Sequence, residues 1–238
     1  MTQIENTGER ILLEKETPLM IARHLSAYKF AGGYLGGRTV LDIGCGEGYG
    51  SFYLADVASQ VKALDYSSEA IDYAAGKYRK DNLQFMVMDV KNLSNLSRKF
   101  SAVCSFQFIE HLADASQFLK DITNLLEDDG SFICSTPNKV DASKGKDTPF
   151  NRFHLKEYFY AEFKELLEKY FSKVEIFCLK RSPRLSFYRR LKKSGIFNCL
   201  PEGLNPVKRF YKRMDCNNFV VSKDNPDTAL DFIALCGK

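Results

Sequence analysis

The sequence predicts an α/β fold in which a mostly parallel sheet carries helices on both faces, and three observations lead there. A buried-strand run, Thr39 to Ile43, feeds a glycine-dense turn, Gly44-Cys-Gly-Glu-Gly48, which opens a helix at about Gly48. Four further apolar runs follow, each separated from the next by a helical pattern, and that alternation builds parallel strands joined by right-handed crossovers. Asp42, Asp65, Asp89 and Gln107 fall at the carboxyl ends of these runs, the edge at which open α/β sheets hold ligands.

Taken in order, residues 1–35 form an N-terminal helical lid: Pro18 starts a helix, and Leu19, Met20, Leu25 and Tyr28 turn it over the ligand mouth. Residues 36–179 form the ligand-binding core. Its second strand, Gln60 to Leu64, ends on Asp65, and its third, Leu83 to Met88, ends on Asp89. The fourth, Ser101 to Phe106, runs into Gln107-Phe-Ile-Glu-His111. The fifth, Ser131 to Ser135, follows Leu125-Leu-Glu-Asp-Asp-Gly130 and leads into Thr136-Pro137-Asn138. Lys139 to Asn151 is polar, contains Gly145 and Pro149, and is long enough to act as a flap. Leu155, Phe159, Phe163, Leu166 and Leu167 mark one face of a helix over Leu155 to Tyr170, and Lys173 to Leu179 is the next strand. Residues 180–227 contain Pro183, Pro201, Pro206 and Pro226 and break the alternation; residues 228–238 hold a closing strand, Thr228 to Cys236. The whole, 1–238, reads as one domain with room for a full core.

Glycines at 44, 46 and 48 let backbone approach a ligand without a Cβ in the way, and amides at a helix start face that ligand. A dinucleotide turn, G-x-G-x-x-G, needs its third glycine where this chain has Tyr49. What stands here is Asp42-x-Gly44-x-Gly46-x-Gly48, and a carboxylate ahead of the first glycine suits a ligand with an ammonium and a sulfonium. Asp65, 19 residues after Gly46, stands where an acid binds a ribose diol. This spacing is similar to the first motif of class I S-adenosylmethionine-dependent methyltransferases. Phe106-Gln-Phe-Ile-Glu-His-Leu112, Ser135-Thr-Pro-Asn138 and Asn151-Arg-Phe-His-Leu-Lys-Glu-Tyr158 resemble a bacterial and archaeal subgroup with a methyltransferase type 11/23 domain.

The resemblance spans about residues 8–178. It implies a Rossmann-like three-layer sandwich of seven strands in the order 3-2-1-4-5-7-6, the last strand antiparallel. It implies S-adenosylmethionine as cofactor, held by Asp42, Gly44, Cys45, Gly46, Tyr49, Asp65, Tyr66, Asp89, Val90, Phe106 and Gln107. Asp89 takes the place of the family's adenine contact, and Tyr66 covers the adenine edge. The subgroup is often tied to glycan and lipid-linked chemistry, so the implied acceptor is a small-molecule or lipid-linked one. One departure is Arg152, where members often carry proline before Phe-His.

Methyl transfer is an in-line displacement, and much of its catalysis is orientation. A hydroxyl acceptor also needs a base, and the chain has three histidines to search. His111 follows the fourth strand and is the candidate base, with a capping role as the alternative reading. Glu110 either positions it, contacts the acceptor or is a solvated first-turn acid. His154 sits on the flap and either touches the acceptor or pins the flap. His24, with Arg23 and Tyr28, offers a lid contact to the cofactor carboxylate. An amine acceptor needs no base and remains the alternative.

With 34 Lys and Arg against 30 Asp and Glu, the chain has a net charge of +4. That average hides a basic stretch: between Lys180 and Arg213 stand eleven Lys or Arg and one acid, Glu202. Leu185 to Ser194 reads as a short cationic helix fit for an anionic membrane surface, for phosphorylated or glycan-lipid substrates, or as a solvated insertion packed by its aromatics. A nucleic-acid partner is disfavoured, because Gln107-Phe-Ile-Glu stands where amino-methylating DNA enzymes carry Asp/Asn-Pro-Pro-aromatic. Seven cysteines without a C-x-x-C pair signal neither a disulfide framework nor a metal site, and Cys45 is read as a small residue that fits its turn. No apolar run approaches about 18 residues, so the expected location is cytoplasmic, with peripheral membrane contact through 180–213.

Overall fold

The computed structural model describes residues 15–238; the beginning of the lid and of the resembling stretch lies outside the described residues. The strands are β1 (Thr39–Ile43), β2 (Gln60–Asp65), β3 (Leu83–Val87), β4 (Phe100–Phe106), β5 (Leu126–Pro137), β6 (Lys173–Arg181), β7 (Phe219–Ser222) and β8 (Asp231–Gly237). The helices are α1 (Pro18–Gly32), α2 (Tyr49–Leu54), α3 (Ser68–Lys77), α4 (Ala115–Leu125), α5 (Lys139–Ala142), α6 (Tyr160–Glu168), α7 (Pro183–Ser194) and α8 (Pro206–Lys212).

All eight strands share one sheet in the order β3-β2-β1-β4-β5-β8-β6-β7. The first five are parallel to one another. The closing strand inserts antiparallel between β5 and β6, pairing Ile133 with Leu235 and Ile176 with Ala234, as the resemblance implies. The strand count differs from seven because Phe219–Ser222 adds antiparallel to β6, with Arg181 opposite Phe219. That short Phe-Val-Val run covers an edge of β6 that would otherwise present unpaired backbone groups.

Period-two alternation splits the strands between two cores. Leu41, Ile43, Val103 and Phe132 face a cluster with Phe118 and Ile122 of α4 and Phe163 of α6. Val40, Ala102, Cys104 and Ile133 face the opposite cluster with Tyr28 of α1, Leu54 of α2, Leu185 of α7 and Phe210 of α8. Asp42 shares the second face and is fully buried there.

The basic segment folds by ordinary rules. Ser182 caps α7 through Leu185 N, Pro183 occupies the first turn, and Gly195 ends the helix in the left-handed region. Tyr188 stacks on Phe210 at 3.9 Å, so the aromatics tie α7 to α8 while the lysines and arginines face outward. Three sequence-based boundaries move, the first being the closing strand, which starts at Asp231 rather than Thr228 because Pro226–Thr228 forms a 3-10 turn. The helix expected from Leu155 begins only at Tyr160, because Leu155 is 60% exposed and its N–H is donated to the Glu110 carbonyl. The fifth strand is longer than expected, running from Leu126 with an irregular pairing beside Phe100 and Ala102. No described helix is long and apolar enough to cross a membrane.

Candidate active site

The glycine turn does what its spacing predicts. Gly44, Gly46 and Gly48 have φ of 77°, 53° and 82°, which L side chains rarely adopt. The three positions are not equivalent. A Cβ at Gly44 would stand 2.4 Å from the Phe108 ring, whereas at Gly46 it would meet nothing within 4 Å. Gly46 is therefore a cradle that a side chain would fill. Gly44→Ala is expected to lower stability by about 2–3 kcal/mol, from backbone strain and the clash with Phe108. Gly46→Ala should cost only about 1–2 kcal/mol, with its larger effect on binding of S-adenosylhomocysteine; thermal melts and calorimetry separate the two.

The turn opens onto a cleft of about 520 Å³ at the carboxyl ends of β1, β4 and β5. Gly44, Cys45, Gly46, Tyr49, Asp65, Tyr66, Phe106 and Gln107 line it together with His111 and His154. A smaller recess of about 170 Å³ shares Gly44, Asp65, Tyr66 and His111 and adds Asp89 and Val90. The eleven residues expected to hold the cofactor thus divide between cleft and recess, except for Asp42. That carboxylate stands behind the wall, accepting from Ser51 Oγ at 2.6 Å and Tyr28 Oη at 3.4 Å. Its Oδ1 has no hydrogen-bond partner among the described residues, and burial pushes the group up to about 7. Asp65 accepts from Gly46 N at 2.9 Å and Ser67 N at 3.0 Å, which ties the end of β2 to the cradle. Gln107 has φ 50° and is held by its backbone N–H and its Nε2 on Ser135. Burial raises the Cys45 thiol well above its usual range, in keeping with a packing role.

The lid expectation needs one correction. Arg23 is not poised for a cofactor carboxylate: its Nε and Nη2 clasp Asp231 at 2.7 and 2.6 Å, and Nη2 also donates to the Leu230 carbonyl. His24 remains on the cleft wall, with burial lowering its pKa to about 4. Tyr28 packs on Phe106 at 4.4 Å and seals Asp42 from the cleft.

His111 sits on a single helical turn directly after β4, and its Nδ1 lies 2.9 Å from the Phe153 carbonyl. A carbonyl only accepts, so Nδ1 carries the hydrogen and Nε2 the lone pair of the neutral ring. His154 packs edge-on against His111 at 4.9 Å. Its Nδ1 donates to Glu157 Oε1 at 2.8 Å, while Asn151 Nδ2 donates to its Nε2 at 2.9 Å. Glu157 also accepts from Ser143, so His154 braces the flap onto the body.

Of the readings open for Glu110, the solvated one fails. Glu110 is fully buried. Its Oε2 accepts from Thr136 Oγ1 at 3.0 Å, and its Oε1 has no hydrogen-bond partner among the described residues. Burial pushes it up to about 8. Glu157, Asp231 and Phe108 also shape the site; Phe108 and Glu157 stand inside the quoted motifs with no role assigned to them, and no motif pointed to Asp231.

Residues 41–134 match the family model described as a methyltransferase domain. The chain is 38% identical over 164 residues to a "Probable S-adenosylmethionine-dependent methyltransferase" of Mycolicibacterium smegmatis, covering 68% of this chain and 63% of that protein. A protein of the same description from Mycobacterium tuberculosis is 35% identical over 152 residues, covering 63% and 55%. The chain therefore spans less than two thirds of the length of either relative. Among solved structures, a SAM-dependent methyltransferase of Thermotoga maritima, "possible histamine N-methyltransferase", aligns over 92% of both chains with a TM-score of 0.63 at 13% identity. The residues present fit the cofactor of these proteins: an open cradle at Gly46 and an acid-rich wall for a cationic ligand. By motif, sheet order and relatives, the chain belongs to the class I S-adenosylmethionine-dependent methyltransferases.

Proposed function

We propose that this chain is an O-methyltransferase acting on a hydroxyl of a small or lipid-linked acceptor, a sugar hydroxyl among the candidates, and that His111 makes that hydroxyl give up its proton. The observation that carries the reading is the anchoring of His111 Nδ1 on the Phe153 carbonyl, which directs a lone pair to Nε2 on a ring lining the cleft. An amine acceptor in its neutral form would need no such group.

S-adenosylmethionine, when bound, supplies an electrophilic methyl on a sulfonium. The chain's part is binding, orientation and proton removal. Gly44, Gly46, Asp65 and Gln107 hold the cofactor in the cleft, and Asp89 and Val90 take its base in the recess. Tyr28 and Tyr49 close the lid side with apolar rings. Phe150, 88% exposed at the rim, and the braced flap border the acceptor's way in.

Labelled-methyl transfer to a panel of sugar nucleotides, glycolipids, quinone precursors and amino sugars tests the reading. Label in an acid-stable ether product is the expected outcome. Label found only on nitrogen would overturn it.

A further inference from the structure

Glu110, His111 and His154 each offer one ligand atom, and the three atoms lie within 4.8 Å of one another. We propose that these side chains form a divalent-cation site on the cleft wall. The proposal deepens the O-methylation reading and rests on it only for the role of the ion.

Three observations support the site. The first is Glu110, whose carboxyl is completely buried with Oε1 unpartnered among the described residues. A buried acid in that state is costly unless it meets a cation or a donor. The second is the outer shell. Both imidazoles give their Nδ1–H to fixed oxygens, His111 to the Phe153 carbonyl and His154 to the Glu157 carboxylate. That arrangement fixes the tautomer of histidines that bind metals through Nε2. The third is Asn151, whose amide N–H points at His154 Nε2 while its Oδ1 accepts from Phe153 N. An N–H dipole on that lone pair stands in for positive charge, and uptake of an ion requires this one flap side chain to turn away.

Two imidazoles and one carboxylate select manganese(II), iron(II), cobalt(II) or zinc(II) over calcium(II). Three protein ligands leave coordination positions open to the cleft. An acceptor bringing two neighbouring oxygens, as a 1,2-diol does, fits such an ion. A hydroxyl on the ion would ionise more readily, its proton passing to water in the cleft, so that with the ion bound His111 would promote the same loss of the proton through the metal. The adjacency of 110 and 111 and the 43-residue gap to His154 conceal the cluster in the sequence.

The test is titration of the metal-stripped protein with manganese(II) chloride, reading free ion by electron paramagnetic resonance, with zinc(II) as competitor. One ion per chain is expected. Glu110→Gln and His154→Gln should each weaken it by about 10–100-fold, while S-adenosylhomocysteine affinity, read by calorimetry, stays at the wild-type value. Should Glu110→Gln fail to fold, His154→Gln on the flap carries the test. Absence of manganese and zinc binding in the wild type, or equal affinity in the folded variants, overturns the site. A hydroxyl methylated by a protein that binds no ion removes this site and keeps the O-methyl reading; an ion bound by a protein that methylates only nitrogen does the reverse.

Discussion

His111→Ala is expected to slow methyl transfer to a hydroxyl acceptor by about 10²–10⁴-fold, the range set by loss of a positioned proton-transfer group. Cofactor binding should survive. The glycine cradle, Asp65 and Gln107 are held by their own contacts on Leu64, Gly46 and Ser135, none of which passes through the imidazole. The flap should survive too, because His154 keeps Asn151 and Glu157 when its edge contact with His111 is lost. Initial rates with labelled cofactor, set beside calorimetry with S-adenosylhomocysteine, decide the matter. A rate loss matched by an equal loss of cofactor affinity would make His111 a packing residue. An unchanged rate would move the chemistry to an acceptor that needs no proton removed.

The cofactor half was legible because its constraints are local. Backbone conformation makes glycine nearly obligatory at 44, 46 and 48, and strand ends place Asp65 and Asp89 by chain spacing alone. The same spacing put Asp42 in the right strand but not in the right layer. Tyr28 arrives from α1 to cover it, and that contact depends on packing between elements. The solvated alternative for Glu110 failed for a similar reason. An acid after a strand usually meets solvent, but here the chain from Leu155 to Lys156 folds back and donates two N–H groups to its carbonyl, closing the pocket over it. Arg23 illustrates the reverse error. Its partner Asp231 lies 208 residues away on a strand whose insertion brings the two together, and no local pattern records that pairing. The basic segment concealed β7 because its prolines and cations outweigh a four-residue run that gains a partner only at the sheet edge.

Asp42→Asn is expected to stabilise the cofactor-free protein above neutral pH. Burial is the main cause of the raised pKa; the Ser51 and Tyr28 hydrogen bonds oppose it and the Asp65 charge adds to it. An acid whose folded pKa is about 7 against 3.8 in the open chain holds, between those values, a proton that the unfolded state has already lost. Stability from this residue is therefore greatest at low pH, declines from about pH 4 to pH 7, and is flat above that. At roughly 1.4 kcal/mol per pH unit the full decline is on the order of 4 kcal/mol. Asparagine cannot ionise, so the variant should track the wild type near pH 4 and exceed it progressively up to pH 7, as urea midpoints would register. Parallel stability curves for the two proteins across pH 4 to 8 would show instead that Asp42 is already ionised in its layer, and that Ser51 and Tyr28 suffice to hold the charge.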